Sequence, residues 1–179
     1  RLRETLTNKL MRTTPFETYK KTLADSILQS ADYDALLSTS LSGFLYDNNI
    51  PVETKQTIYR KLQEEIAEEN LRYLKGRVAE YSALAKGWDG EDAQPPLPEA
   101  TENVENLLGA CRPHDLAEWT LFPNVNGTYL LQKQHALVSI GDKQFTYWAE
   151  ADGNDIGEEY VGFSTGAALK AIRTINAYA

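Results

Sequence analysis

Lys86-Gly87-Trp88-Asp89-Gly90-Glu91-Asp92-Ala93-Gln94-Pro95-Pro96-Leu97-Pro98 separates two kinds of pattern in this chain. Before it, apolar residues recur at helical spacing. After it come one more helix and a run of short alternating segments. Gly87, Gly90, Pro95, Pro96 and Pro98 interrupt the first pattern, because glycine frees the backbone and proline removes an amide donor. Trp88 sits inside the interruption and is expected to fold its indole over the joint, with Asp89-Gly90 making the turn.

Upstream of the joint, the spacing predicts a long helix from near Pro51 to about Lys86. Its apolar stripe is Ile58, Leu62, Ile66, Leu71, Leu74, Val78, Tyr81 and Leu84. At 1.5 Å per residue this is a rod of about 50 Å, longer than one small core can cover. Part of the stripe therefore calls for a partner: the preceding helices, a second copy forming a homo-oligomer, or another protein. Three shorter helices are predicted before it. One carries Leu2, Leu6 and Leu10, one opens at Pro15 with Phe16, Tyr19, Leu23 and Ile27, and one runs from Tyr33 to Leu45. Asp47-Asn48-Asn49 is a stop. The run Asn49 to Leu62 has the flavour of a helix-turn-helix recognition helix, polar and basic after a tight turn. Its continuation through Glu64, Glu65, Glu68 and Glu69 would press carboxylates against phosphates, which favours a plain amphipathic helix over DNA binding.

Downstream, Pro98 suits the first turn of a helix whose buried stripe is Val104, Leu107, Leu108 and Cys111, ended by Pro113. Strands are predicted at Trp119 to Pro123, Thr128 to Lys133, Ala136 to Ile140 and Gln144 to Glu150. Asn126-Gly127, Lys133-Gln134 and Gly141-Asp142 mark the turns between them. An acidic loop, Ala151 to Gly157, leads to a fifth strand around Tyr160 to Phe163. Ser164 or Thr165 then caps a last helix. The expected fold is α+β: a helical region over 1–87 with one long helix, then a domain over 88–179. That domain is a helix, an antiparallel β-meander of four to five strands and a C-terminal helix. Phe145 and Tyr147 face opposite to Thr146 and Trp148, so both sheet faces carry aromatic bulk and the second face is expected to be covered by the N-terminal helices or a partner.

Charge divides at the same place. Up to Gly87 there are thirteen Lys plus Arg against twelve Asp plus Glu; from Trp88 there are five against fourteen, within a net charge of −8. The second part should repel nucleic acid and anionic membrane, and could engage a basic protein. Arg1, Arg3, Lys9, Arg12, Lys20 and Lys21 make the N-terminus basic. The 179 residues suffice for one sizeable core or two small ones, and no apolar run is long enough to span a membrane. One cysteine, Cys111, excludes an internal disulfide framework and any multi-cysteine zinc site. It reads as a small buried hydrophobe and leans the expected location to the cytoplasm. The chain opens at Arg1 and its one methionine is Met11, the pattern expected of a piece from which a leader could have been removed.

Gly87-Trp88-Asp89-Gly90-Glu91-Asp92-Ala93, the prolines after it and Pro98-Glu99-Ala100 opening a helix resemble a group of small bacterial proteins without assigned activity. In that group a Gly-Trp-Asp-Gly signature precedes a compact sheet, and members often lie near toxin–antitoxin or mobile-element genes. The resemblance covers roughly Lys86 to Trp148. The group's later Asp-Gly turn is Asn126-Gly127 here, and Leu130-Leu131-Gln132 replaces its Leu-Glu-Trp. It implies an antitoxin-like or immunity-like role and brings no catalytic residues.

Chemistry finds little support. His114 and His135 are isolated, and there is no Gly-x-Ser-x-Gly elbow, phosphate loop or dinucleotide fingerprint. Asp152-Gly153-Asn154-Asp155 lacks the ordered ligands of a calcium loop, and no carboxylate pair can be placed across a sugar. No cofactor or metal is expected. The structural or interaction candidates are Trp88, Asp89, Gly90, Glu91, Asp92, Trp148, Asp152 and Asp155. The leading expectation is a non-enzymatic protein-interaction module. The competing one is a small enzyme or ligand-binding domain using the sheet face or the acidic loop.

Overall fold

The computed structural model describes residues 52–151 and 153–178. The three helices expected before residue 50, the stop at Asp47-Asn48-Asn49, the turn before the candidate recognition helix and Asp152 lie outside the described residues. The order within them is α1 (Val52–Ser82), α2 (Pro98–Ala110), a 3-10 turn (Pro113–Leu116), β1 (Thr120–Pro123), β2 (Tyr129–Lys133), β3 (Ala136–Ile140), β4 (Gln144–Ala151), β5 (Asn154–Gly162) and α3 (Thr165–Tyr178). This is an α+β fold with a five-stranded antiparallel meander in the order β1-β2-β3-β4-β5.

Packing divides the chain inside α1, between Ile66 and Ala67, whereas the sequence pattern placed the division at Trp88. Of the first unit, Arg1–Ile66, the described residues are the opening turns of α1. The second unit, Ala67–Ala179, contains the remainder of that helix. The physical reason is the length of the apolar stripe. Leu71, Leu74, Val78 and Tyr81 are buried in the same core as the sheet, so those turns belong to it. Asn70 donates to the carbonyls of Leu116 and Trp119, and the Tyr81 hydroxyl donates to the Leu121 carbonyl in β1. Leu62 is also buried within the single chain, so that part of the stripe does not itself require a second copy. Helix α1 stops at Ser82, one turn before the expected end at Lys86, and Leu84 bonds back to the Tyr81 carbonyl in a tighter turn.

Helices α2 and α3 cover one face of the sheet. Val104, Leu107 and Leu108 from α2, with Ile172 and Ile175 from α3, meet Leu131, Val138, Ile140 and Phe145. Pro98 occupies the first turn of α2, and the Ser164 hydroxyl accepts the Ala167 amide at the start of α3. Lys133 pairs with Ala136, so the β2–β3 turn is Gln134-His135, one residue later than expected, with Gln134 at φ +40°.

The acidic loop expected over Ala151 to Gly157 is a correction. Ala151 pairs with Asn154 and Trp148 with Gly157, so most of it is strand. The tyrosine and valine that marked the fifth strand are its last residues. Its first half is polar, because β5 is an edge strand with little to bury. Between the Phe145–Val161 and Tyr147–Glu158 pairs the register slips, and Glu159 with Tyr160 stands opposite the single residue Thr146.

Candidate functional site

The sequence candidates fall in two places that do not meet. The joint lies against the β1–β2 loop at one edge of the sheet. Gln94 donates its amide to the Val125 carbonyl at 2.8 Å, and Leu97 donates to the Gly127 carbonyl at 2.9 Å. Within the joint, the Gly87 amide reaches the Ala93 carbonyl at 2.8 Å, and the indole Nε1 of Trp88 donates to the Gln94 carbonyl at 2.9 Å. The half-buried indole thus closes the loop, as expected for a tryptophan whose N–H needs an acceptor. Gly90 sits at φ +101°, a backbone state that a side chain would strain. Asp89, Glu91 and Asp92 point to solvent. The joint closes on its own backbone, and its carboxylates do not converge on a site.

Trp148 and Asp155 lie at the opposite edge, on the sheet face that α2 and α3 do not cover. Strand alternation sends Ala149, Val138 and Ile140 inward, so Trp148 and its cross-strand partner Leu137 face outward. The next partner in that row is Gly157. With no side chain at Gly157, a groove of about 520 Å³ opens beside Trp148, with Leu137 and Thr146 along it and Asp155 and Glu159 on the β5 side. Glycine is required there: a Cβ would come within 2.5 Å of the Tyr147 carbonyl oxygen and 3.1 Å of the Trp148 Cα. The adjoining row brings Phe122, 43% exposed, beside Leu130. At the register slip Tyr160 takes φ +55° and is 70% exposed, its amide bonded to Thr146 Oγ1 at 3.1 Å. This face is only half-covered within the described residues.

A buried polar cluster that the sequence reading did not single out ties the helices together. Asp115, 4% exposed, accepts Arg173 Nε at 3.1 Å and Nη2 at 3.0 Å, with the Arg112 amide at 2.9 Å. Burial alone would push the Asp115 carboxyl up. The hydrogen bonds from Arg173 and Arg112 outweigh it and hold the group well below the usual carboxylate range. Asn176 donates to the Asp115 carbonyl and accepts the buried Trp119 indole N–H at 3.1 Å. With every oxygen of Asp115 engaged, the cluster is a fastening and offers no open coordination or proton-transfer position. The one sequence signal for it was Arg-Pro-His-Asp, a carboxylate three residues after the start of a short turn.

His114 and His135 are both exposed and line neither the groove at Trp148 nor the shelf between α3 and Ile156. Cys111 is buried, and burial, with the nearby Asp115 charge, pushes its thiol up to about 12. Among the described residues no group of three or more His, Cys, Asp or Glu could hold a metal ion, and no helix is long and apolar enough to cross a membrane. Comparison with protein-family models, with curated proteins and with solved structures returns no match to the chain.

Proposed function

We propose that this protein is an interaction module whose acidic C-terminal part binds a basic protein partner, in an antitoxin-like or immunity-like role. One observation carries the reading: the distribution of charge over residues 88–178. Three of the five cations are held in ion pairs, Arg112 and Arg173 with buried Asp115, and Lys133 with Glu118 at 2.8 Å. Eleven other carboxylates stand exposed: Asp89, Glu91, Asp92, Glu99, Glu102, Glu105, Asp142, Glu150, Asp155, Glu158 and Glu159. Like charges at this density repel one another in the free protein, and a cationic surface relieves that repulsion. Such a surface also steers the encounter of the two proteins. The likeness of the Trp88 joint to the Gly-Trp-Asp-Gly group points the same way.

The test is cross-linked capture of the full chain in its native cells, with identification of the bound protein and a salt titration of the purified pair. The expected partner carries net positive charge, and its affinity falls steeply between low and physiological salt. A partner of net negative charge, or binding indifferent to salt, sinks the reading.

A further inference from the structure

The sheet face away from α2 and α3 has a property that the charge total does not convey. The outward positions of the five strands are Thr120, Phe122, Leu130, Gln132, Leu137, Ser139, Gln144, Thr146, Trp148, Glu150, Asp155, Gly157, Glu159 and Gly162, joined by Tyr160 at the slip. Every ionisable group among them that is charged at neutral pH is a carboxylate. Among the described residues, no lysine or arginine occupies an outward strand position. The carboxylates are not spread evenly. Asp155 and Glu159 flank Gly157 two residues to either side on β5, and Glu150 stands opposite Asp155 on β4. Asp155 and Glu159 line the groove beside Gly157 and the half-buried Trp148. An aromatic wall with anionic neighbours and no competing cation is the chemistry that holds an organic cation. The indole face attracts positive charge, and the carboxylates neutralise it. Arginine suits this groove better than lysine: its planar guanidinium stacks on an indole, is weakly hydrated, and presents a fork of donors to carboxylates. A space of about 520 Å³ admits one long side chain with room for the backbone that carries it.

We infer that the groove over Gly157 seats an arginine side chain of the basic partner, stacked on Trp148 and paired with Asp155 and Glu159. This rests on the basic-partner reading and names the surface that it leaves open. Leu137 in the Trp148 row, and Leu130 with Phe122 in the adjoining row, then offer apolar contact to residues beside that arginine.

The experiment uses the full chain and three capped pentapeptides. They carry arginine, its neutral isostere citrulline, or glutamate at the centre, between valine and threonine. Binding is read at low salt from the indole N–H resonances, with that of Trp148 assigned from Trp148→Leu. The arginine peptide is expected to move the Trp148 resonance and leave that of buried Trp119 in place. Affinity should fall about fivefold in Trp148→Leu, the scale of an exposed cation–π contact. A comparable fall is expected in the double variant Asp155→Asn with Glu159→Gln. Both of those residues are exposed, so this variant tests the site without disturbing the core. Citrulline binding as tightly as arginine overturns the proposal. So does an arginine peptide that binds the wild type and both variants equally while losing affinity with salt. That last result leaves the basic-partner reading standing and removes only the groove. A captured partner that proves acidic removes the wider reading whatever the peptides do.

Discussion

Asp115 and Arg173, 58 positions apart, meet as a two-pronged ion pair, with Nε on one carboxylate oxygen at 3.1 Å and Nη2 on the other at 3.0 Å. The pair joins the 3-10 turn to α3, and Asn176, one helical turn beyond Arg173, binds the Asp115 carbonyl as well. Asp115 thus fastens the last helix to the 3-10 turn through both its carboxylate and its carbonyl, beside the apolar packing of Ile172 and Ile175.

Asp115→Ala should destabilise the fold by about 2–3 kcal/mol. That is below the full cost of an orphaned buried charge, because Arg173 is partly exposed and water can solvate it. Urea unfolding of the two proteins at neutral pH measures the difference in midpoint. An unchanged midpoint would show that the pair fastens nothing.

The same carboxyl predicts a pH dependence. Its folded-state pKa is depressed, so its contribution is fully present above the unfolded value of about 4 and is lost as pH falls through the folded one. The stability gap between wild type and Asp115→Asn should stay constant from pH 7 to about pH 5 and narrow below about pH 4. Urea midpoints across that range check it. A gap that widens on acidification has the wrong sign.

Gly76 lies inside α1, where a Cβ would meet nothing within 4 Å. Gly76→Ala should stabilise the protein by up to about 1 kcal/mol, since alanine loses less backbone entropy in a helix. Thermal unfolding should show a rise of a few degrees, and a fall would mean that the helix bends at that position.

Gly127 is the opposite case. It sits at φ +82°, and a Cβ would lie 3.0 Å from the Pro95 carbonyl oxygen and 3.1 Å from the Leu97 side chain. Gly127→Ala should cost about 1–3 kcal/mol through left-handed strain and crowding. It should also raise amide exchange at Gln94 and Leu97, whose N–H groups bond to this loop. Unaltered exchange at those two amides would detach the joint from the hairpin.

Cys111 should be inert. With the thiol buried and its pKa pushed up to about 12, native protein at pH 8 should react with an aromatic disulfide reagent only at the rate of unfolding. Rapid labelling without denaturant would contradict the burial.

Local chemistry explains which elements could be read in advance. The helix after Pro98, the capped helix after Ser164 and four of the strands announce themselves through proline, hydroxyl and period-two signals that act over a few residues. The fifth strand was shortened in the reading because its first half is acidic and glycine-bearing, which resembles a loop when neighbours are unknown. The candidate residues behaved likewise. Trp88 closes its joint through a bond six residues away, and that proximity makes it legible. The groove at Trp148 depends on the pairing of Gly157 with a residue in another strand, and on a register slip that no local pattern encodes.

Hydrophobic period, turn residues and net charge thus decide the α+β class, the order of elements and the acidic character of the second part, since each is a sum over neighbouring residues. Tertiary packing decides that the long helix is shared between two units, that Asp115 is a buried fastening, and that, among the described residues, the ions at the outward strand positions are all carboxylates. Those facts depend on which distant groups meet, and a linear pattern carries distance along the chain but not through space.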